Sequence, residues 1–348
     1  MTAAEWPLVV TFGEMLLRLS PGDQPRLFES DQMRSGFGGA EANVAVALSH
    51  LEVWCEYVTR LPDNLIGDAA LATMRAEGVQ LSHVLRGPER MGLYFVEPGA
   101  DVSNSRVVYD RAASAFANIV PALVDWSVVL ADADWFHATG ITAALGDGPL
   151  AALRAGIDCA RASHVPVSID LNYRPALWRD RDPVPLITPL VQGADLLIGN
   201  PHSLKAMLGI DVPDDALATT EGATSIAKGV AAHCGCRMVA LTRREILGNG
   251  ANRWSASLYD AATGEFSSSR PWTVTVIDRI GGGDSFAASL IASLLRRRAP
   301  NDALEFAVAA SALKLRVPGD FNRVSTADVD KLLRGMDAAG SRVGELRT

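Results

Sequence analysis

The stretch that decides the fold is W-T-V-T-V-I-D-R-I-G-G-G-D-S-F-A-A-S-L-I-A-S-L-L, residues 272–295. An apolar, β-rich run to Ile277 predicts a strand, and Asp284 is predicted to open a long apolar helix. Three consecutive glycines precede that helix: Gly281, Gly282 and Gly283. They leave backbone N–H groups unshielded, and a helix N-terminus adds positive potential, so the pattern predicts an anion cradle. A tight turn capped by Asp284 is the alternative. Such a turn needs at most one glycine, and each extra glycine destabilises the fold by ~0.5–1 kcal/mol relative to alanine, which favours the anion cradle.

Asp284 is the candidate catalytic group of this loop. A helix end favours the ionised carboxylate, which predicts a ready proton acceptor. In phosphoryl transfer the base orients a hydroxyl and takes its proton late, so this carboxylate suits that reaction better than hydride transfer. No G-x-x-x-x-G-K-[ST] motif is present, and in S-G-F-G-G-A-E-A-N Glu41 stands where the third glycine of a dinucleotide fingerprint would be.

Strand-like and helix-like patterns alternate over most of the chain. Predicted strands include residues 7–13, 134–140, 165–173, 194–200 and 237–242. This order predicts an α/β fold with a parallel sheet, helices on both faces and ligands at the carboxyl ends of the strands.

Two segments, 14–36 and 91–117, break the alternation because they carry turn residues and period-2 patterns. We interpret them as a projecting β-strand lid, discontinuous in sequence. The core then comprises 1–13, 37–90 and 118–348. A small flap has little core of its own, so it is expected to close over a ligand or to pack on a partner, here as a homodimer.

The composition excludes several classes of protein. The 348 residues carry 32 Lys+Arg and 40 Asp+Glu, a net charge of −8, which argues against nucleic-acid and membrane partners. Four cysteines are too few for a disulfide framework, and the C-x-C of Cys234 and Cys236 lacks the second cluster of a zinc site. Neither a signal peptide nor an apolar run of 18 residues is visible, so a cytoplasmic location is expected.

A second glycine loop, Gly38 and Gly39 with Asn43 one turn later, precedes a predicted helix. Two glycines permit close approach of a ligand, and Asn43 offers both a donor and an acceptor. An ordinary strand–helix connection explains this loop equally well.

With both loops, the chain resembles the PfkB/ribokinase family of carbohydrate kinases. The family's G-G with a downstream Asn is matched near the N-terminus, and its D-x-x-G-[AG]-G-D by Asp278, Gly281, Gly283 and Asp284. The resemblance covers nearly the whole chain. It implies a ribokinase-like three-layer α/β/α sandwich with a mostly parallel sheet and a small projecting β lid. It also implies ATP and Mg²⁺, with Asp284 as base and the glycine backbone as anion hole.

Within the family, G-L-Y-F, V-V-Y-D-R, D-L-N-Y-R-P and P-G-D-F-N are similar to kinases of 2-keto-3-deoxygluconate. This likeness implies transfer to the 6-hydroxyl of that sugar acid. Together with the loop of Gly38 and Gly39, the likeness implies the following substrate residues: Gly38, Gly39, Asn43, Tyr94, Tyr109, Arg111, Asn172 and Arg174. Independently, two arginines converging on one pocket of an acidic protein suggest a carboxylate ligand. A surface ion pair is the commoner role of a lone arginine.

The nucleotide and metal residues are also implied by the resemblance. They are Thr242 and Arg243 near phosphates, Ala307, Ala310, Ser311 and Gly319 near adenine, Asn200 for magnesium, and Asp278 for a monovalent cation such as K⁺. Many relatives have N-x-x-E where this chain has Asn200 followed by Ser203. Glu41 and Glu245 are the candidates to compensate for the missing carboxylate.

Three other functions compete with a sugar-acid kinase. A ribokinase- or fructokinase-like kinase of a neutral sugar is the nearest, and the two arginines speak against it. A non-catalytic sugar-binding protein on a kinase scaffold is motivated by Ser203. A nicotinamide oxidoreductase is disfavoured by the absent fingerprint.

Overall fold

The computed structural model describes residues 6–22, 26–29, 31–97, 105–213, 215–248, 250–337 and 345–346. The strands in chain order are β1 (Leu8–Phe12), β2 (Leu16–Pro21), β3 (Met33–Gly38), β4 (Trp54–Val58), β5 (Arg60–Pro62), β6 (Leu85–Gly87), β7 (Gly92–Glu97), β8 (Arg106–Asp110), β9 (Trp135–Thr139), β10 (Val167–Asp170), β11 (Leu196–Gly199), β12 (Met238–Gly248), β13 (Ala251–Asp260), β14 (Phe266–Ser268), β15 (Trp272–Thr275) and β16 (Glu345–Leu346). The α-helices are α1 (Ala40–His50), α2 (Leu65–Ala76), α3 (Trp126–Val129), α4 (Gly140–Ala144), α5 (Asp147–Ala162), α6 (Val184–Val191), α7 (Pro201–Leu208), α8 (Thr220–Cys234), α9 (Gly282–Leu295), α10 (Pro300–Lys314) and α11 (Thr326–Asp337).

The main sheet has the strand order β16-β15-β13-β12-β11-β10-β9-β1-β4, with β14 paired to β13. The six strands from β12 to β4 run parallel, and β13 turns back antiparallel to β12. Buried parallel strands need helices on both faces, which explains their nearly continuous apolar sequences. The predicted α/β class with a mostly parallel sheet is confirmed.

Alternate residues of the sheet face two separate hydrophobic clusters. Val9 and Ile198 belong to one cluster, and their neighbours Val10 and Leu197 belong to the other. Helices α1, α9 and α10 pack on the first face, and α5, α7 and α8 pack on the second. These are the three layers that the sequence pattern predicts.

Local capping agrees with the sequence at α2. The side chain of Asn64 accepts hydrogen bonds from the backbone N–H groups of Ile66 and Gly67, and Gly78 follows the helix with φ +80°. Asparagine N-caps and a glycine just beyond the C-terminus are common helix boundaries.

A small sheet of β3-β2-β7-β8 stands apart from the main sheet. Its own core consists of Leu16, Tyr94 and Val96, with Val107 and Tyr109 packed against them. β3 runs to Gly38 and leads directly into α1, two residues beyond the predicted boundary. The lid segments include residues 23–25, 30 and 98–104, which lie outside the described residues, and the division into core and lid stays a prediction.

The strand and helix within residues 272–295 differ in their bounds from the prediction. β15 ends at Thr275, two residues before Ile277, and α9 begins at Gly282 with Gly281 as its N-cap. Asp284 is therefore the third residue of the helix. Gly281 has φ +82°, and a side chain there would meet the Asp320 carbonyl oxygen at 2.1 Å, so only glycine fits.

Over the part of the chain that the structure describes, every helix is too short or too polar to cross a bilayer.

Candidate active site

A cleft of about 1280 Å³ opens between the main sheet and the small sheet. It is lined by the ends of β10 and β11 and the residues that follow them, by residues 242–245 within β12, by the N-termini of α1 and α9, and by residues of the small sheet. The parallel strands direct their carboxyl ends to this edge, where ligands of open α/β sheets bind. The location agrees with the sequence-based expectation.

Asp284 lies in this cleft and is held by two asparagines. Asn43 Nδ2 donates to Asp284 Oδ2 at 2.7 Å, and Asn172 Nδ2 donates to Asp284 Oδ1 at 3.4 Å. Asn43 Oδ1 in turn accepts from the backbone N–H of Gly39 at 3.4 Å. The two glycine loops, which are 241 residues apart at their contact, thus meet at one carboxylate.

Burial decides the proton affinity of Asp284. It raises the pKa of the carboxyl to about 6, although the Asn43 hydrogen bond and the nearby Arg174 act to lower it. Desolvation thus sets the net direction of the shift, which is opposite to the one expected from the helix end alone. A pKa near the working pH is what a general base requires.

All three glycines of the run line the cleft. Gly282 and Gly283 are the first two residues of α9, and the first N–H groups of a helix lack intrahelical partners. Around Gly283 a side chain would meet nothing within 4 Å, so its backbone faces open space. The run can therefore present backbone donors to an anion beside Asp284.

Two further carboxylates are buried near Asp284. Burial and, after it, the charge of Asp284 raise the pKa of Asp170 to about 7. Burial likewise raises the pKa of Glu41 to about 7 against hydrogen bonds from Thr139. Sequence reasoning missed Asp170, although its place at the end of β10 is a signal that could have identified it.

The small sheet contributes Tyr94 and Tyr109 to the cleft, and Arg111, the residue after β8, also lines it. The two tyrosines are cross-strand neighbours with ring centroids 6.3 Å apart, and Tyr94 Oη donates to Asp320 Oδ2 at 2.5 Å. Arg111 is only 8% exposed and donates through Nε to Glu14 Oε2 at 2.6 Å. The charge of Arg111 is thus already balanced by the protein.

Other arginines of the cleft have no carboxylate within ion-pair distance among the described residues. Arg174, Arg244 and Arg279 all line it, and none has an ion pair with a carboxylate among the described residues. Arg174 donates to the carbonyl oxygens of Asn172 and Tyr173. Burial lowers the pKa of Arg279, and the charges of Arg244 and Arg174 lower it further, so the three cations are close together. Sequence reasoning had identified only Arg174.

The residues expected near the nucleotide divide into two groups. Thr242 and Arg243 line the cleft. Ala307 and Ala310 have no exposed surface, because they pack in the hydrophobic cluster of α9 and α10. Ser311 and Gly319 also lie away from the cleft lining. Ser311 Oγ donates to the Gly282 carbonyl at 2.7 Å, and the Gly319 N–H donates to Asp278 at 3.0 Å.

Asn200 lines the cleft and also caps α7. Its Oδ1 accepts from the backbone N–H of Ser203, and Ser203 Oγ accepts from the backbone N–H of Asn200. Ser203 thus completes a capping box instead of offering a carboxylate. Neither proposed substitute is free, since Glu245 pairs with Arg253 at 3.0 Å and Glu41 is held by Thr139. Within the described ranges, no group of three or more His, Cys, Asp or Glu is arranged to hold a metal.

Asp278, the expected monovalent-cation ligand, is paired with a guanidinium. Arg18 Nη2 lies 2.8 Å from Asp278 Oδ2, and Arg18 Nη1 lies 2.8 Å from Asp320 Oδ1. The backbone N–H of Ile280 donates to Asp278 Oδ1 at 3.0 Å. Gly38 lies next to the Asp320 carboxylate of this ion-paired group, since a side chain at Gly38 would lie 2.1 Å from Asp320 Oδ2.

Comparisons with known proteins identify the class. The crystal structure of 2-dehydro-3-deoxygluconokinase from Thermotoga maritima is similar to this chain with a TM-score of 0.90 and 38% sequence identity, covering 95% of this chain and 99% of that one. The fold is therefore that of the ribokinase-like kinases. Residues 7–327 match the pfkB family carbohydrate kinases, and the chain belongs to that family.

Two relatives share 31% identity with parts of the chain. One is 2-dehydro-3-deoxygalactonokinase of Haloferax volcanii, over 58% of this chain and 64% of the relative. The other is 2-dehydro-3-deoxygluconokinase of Thermoproteus tenax, over 60% of this chain and 64% of the relative. The matched segments span just under two thirds of each relative's length.

Proposed function

We propose that the protein is an ATP-dependent kinase that transfers a phosphoryl group to the 6-hydroxyl of 2-keto-3-deoxygluconate. One observation carries the proposal: the Asp284 carboxylate lies in the cleft, held by Asn43 and Asn172, beside the backbone of the glycine run. A proton acceptor next to anion-binding amides is what phosphoryl transfer to an alcohol requires.

In this mechanism Asp284 orients the attacking hydroxyl and accepts its proton. The backbone N–H groups at the start of α9 hold the migrating phosphoryl group as its charge is redistributed. Magnesium enters as part of the nucleotide substrate and offsets the phosphate charge. Because no group of three or more metal-ligating side chains is arranged for an ion among the described residues, the ion would keep mostly phosphate and water ligands, which is usual for Mg²⁺. Asn200 and Thr242, at the mouth of the cleft, are the side chains nearest to such a complex in our proposal.

The substrate class is supported by charge. Arg174, Arg179, Arg244 and Arg279 give the cleft four cations without an ion-paired carboxylate in the described parts of the chain, within a protein of net charge −8. A carboxylate that binds to such a cation gains about 1.5–3 kcal/mol per charge-assisted hydrogen bond. The names of the similar proteins, kinases of 2-keto-3-deoxy sugar acids, support the same class.

The small sheet is proposed to act as the lid. Tyr94, Tyr109 and Arg111 face the cleft from it, and its closure would exclude water, which competes with the sugar as phosphoryl acceptor. Its outer strand β8 carries Val108, which is 53% exposed. We propose that this edge pairs with a second copy of the chain as a homodimer. Light scattering should give a dimer for the wild type and a monomer for Val108→Asp.

A kinase of a neutral sugar is the second candidate, and the Arg111–Glu14 pair favours it. The pair removes one of the two cations on which the prediction of an acid substrate was based. If it forms the sugar pocket with Tyr109, that part of the pocket is electrically neutral.

A coupled ADP-release assay over a substrate panel tests these alternatives. The panel contains 2-keto-3-deoxygluconate, its galactonate epimer, fructose and ribose, each with ATP and Mg²⁺. We expect turnover of the keto-deoxy acids and a loss of about 10²–10⁴-fold in kcat for Asp284→Asn. Asp158→Asn, an exposed carboxylate change on α5, is the matched control and should keep wild-type activity. Turnover of fructose or ribose alone would support the second candidate, and ligand-induced stabilisation without ADP release would indicate a binding protein.

A further inference from the structure

Lys314 is a buried cation that the proposed mechanism does not use. It is the last residue of α10 and has no exposed surface. Its Nζ donates to the carbonyl oxygen of Val317 at 3.3 Å. Lysine is almost never fully buried unless it is paired, because an isolated ammonium group loses its hydration there. Its environment should therefore contain compensating negative charge.

The carboxylates of Asp278 and Asp320 act on Lys314 at a distance, because among the described residues its Nζ has no carboxylate within 4 Å. Burial lowers the pKa of Lys314, and the charges of both carboxylates oppose the change. The same two carboxylates are bridged by Arg18, with both N–O distances at 2.8 Å. Two anions and two cations therefore make a charge-balanced group, which we call the buried quartet: Arg18, Asp278, Lys314 and Asp320.

The quartet contacts the loop that contains the glycine run. The N–H groups of Ile280 and Gly319 both donate to the Asp278 carboxylate at 3.0 Å. A side chain at Gly281 would meet the backbone oxygen of Asp320 at 2.1 Å and Lys314 Cε at 3.2 Å. The position of the loop 278–281, and with it the start of α9, is therefore set by contacts with the quartet.

The quartet also joins the two sheets. Arg18 belongs to β2 of the small sheet, while Asp278 and Asp320 belong to loops of the core. Tyr94 of β7 donates a second hydrogen bond from the small sheet to Asp320. The position of the small sheet is therefore coupled to the loop that forms the anion cradle.

We propose that Lys314 and Arg18 are built-in cations that hold the loop 278–281 in its anion-binding position, so that the protein needs no monovalent metal ion at Asp278. This replaces the expectation of K⁺ at that residue. A bound ion would compete with a guanidinium already 2.8 Å from the carboxylate, and it would add a net charge to a balanced buried group. The inference rests on the proposed function only in assigning the loop to phosphoryl transfer.

The first test uses the wild-type protein and needs no variant. The melting temperature and kcat are measured in KCl, NaCl and tetramethylammonium chloride at equal ionic strength. Because an ion that binds only the folded state raises the melting temperature, we expect agreement within about 1 °C between the three salts. We also expect kcat to agree within about twofold, since a required activator would change it far more. A specific K⁺-dependent rise of several degrees would overturn the proposal even if no substrate is phosphorylated.

The second test removes the ammonium group with and without filling its space. Lys314→Ala leaves a cavity beside two carboxylates, whereas Lys314→Met removes the charge but keeps most of the volume. We expect K⁺, and not tetramethylammonium, to raise the melting temperature of Lys314→Ala, with a smaller effect in Lys314→Met. Lys228→Ala, an exposed change on α8, is the control and should show no salt-specific effect.

Kinetics then separate positioning from stability. If the quartet positions the loop, Lys314→Met lowers kcat at least about tenfold with little change in the KM of the sugar. Equal kcat for folded Lys314→Met and wild type would refute the positioning role. If neither variant folds, the wild-type salt comparison still decides the need for an ion. If the wild type has no kinase activity, the melting measurements still decide the built-in cation, so the two failures remain distinct.

Discussion

Arg111 and Glu14 form a buried ion pair, with Arg111 Nη2 2.5 Å and Nε 2.6 Å from the same carboxylate oxygen. Glu14 lies between β1 of the main sheet and β2 of the small sheet, and Arg111 directly follows β8. Ser114 Oγ also donates to the other oxygen of Glu14. Arg111, which the resemblance assigned to the substrate, is thus part of the junction between the two sheets.

Arg111→Met should therefore reduce stability more than substrate binding. Removing one partner of a buried pair leaves an uncompensated charge and costs about 3–5 kcal/mol. Urea unfolding of the apo protein measures this loss. The double variant Glu14→Gln/Arg111→Met should recover part of it, because no isolated charge remains. An unchanged midpoint together with a selective rise in the KM of the sugar would show instead that Arg111 binds substrate.

Arg174→Met should weaken binding of the sugar acid and leave ATP nearly unaffected. Loss of one charge-assisted hydrogen bond to a carboxylate predicts a rise of about 10–100-fold in the KM of the sugar. Arg154→Met, an exposed arginine of α5, is the matched control. Steady-state kinetics with each substrate varied in turn make the comparison. Equal losses for sugar and ATP would reject a carboxylate-binding role.

The pH profile should report the ionisation of Asp284. With its pKa raised to about 6, the carboxyl is protonated below that pH and cannot accept the hydroxyl proton. We expect kcat/KM to rise with pH through about 6 and then to level off. The coupling enzymes must be in excess at each pH. A profile that is flat through this range, or an acid limb near the ordinary aspartate pKa of about 3.9, would contradict the assignment.

The burial of Asp170 should appear in the pH dependence of folding. Burial raises its folded-state pKa to about 7, above the ordinary value of 3.8 in the unfolded chain, so the folded state binds more protons between these values. Its contribution to stability is therefore fully present below the unfolded pKa and is lost as pH rises towards 7. Asp170→Asn should gain stability relative to wild type at pH 8 compared with pH 5, measured by urea unfolding. Asp158→Asn should show no such difference between the two pH values.

The features that the sequence predicted well depend on neighbours in the chain. The alternation of strand-like and helix-like patterns predicted the mostly parallel sheet. The glycine run at 281–283 also indicated a helix terminus facing a ligand. The bounds of these elements were predicted with small errors. For example, β15 ends at Thr275 instead of Ile277.

The features that the sequence did not predict depend on pairs far apart in the chain. Arg111 meets Glu14 across 97 residues, and Arg18 meets Asp320 across 302. Ala307 and Ala310 were assigned to the nucleotide, but they are packed in the core, which no local pattern distinguishes.

For this protein, sequence alone determined the order of strands and helices and the loops rich in glycine, because short-range sterics and periodicity control them. Only the tertiary structure decided which charged side chains form ion pairs within the protein and which do not. It showed Arg111 ion-paired with Glu14, Arg279 without an ion pair among the described residues, and the pKa of Asp284 raised by burial. The physical reason is that ion pairing and desolvation depend on distances and burial, and these exist only once the chain has folded.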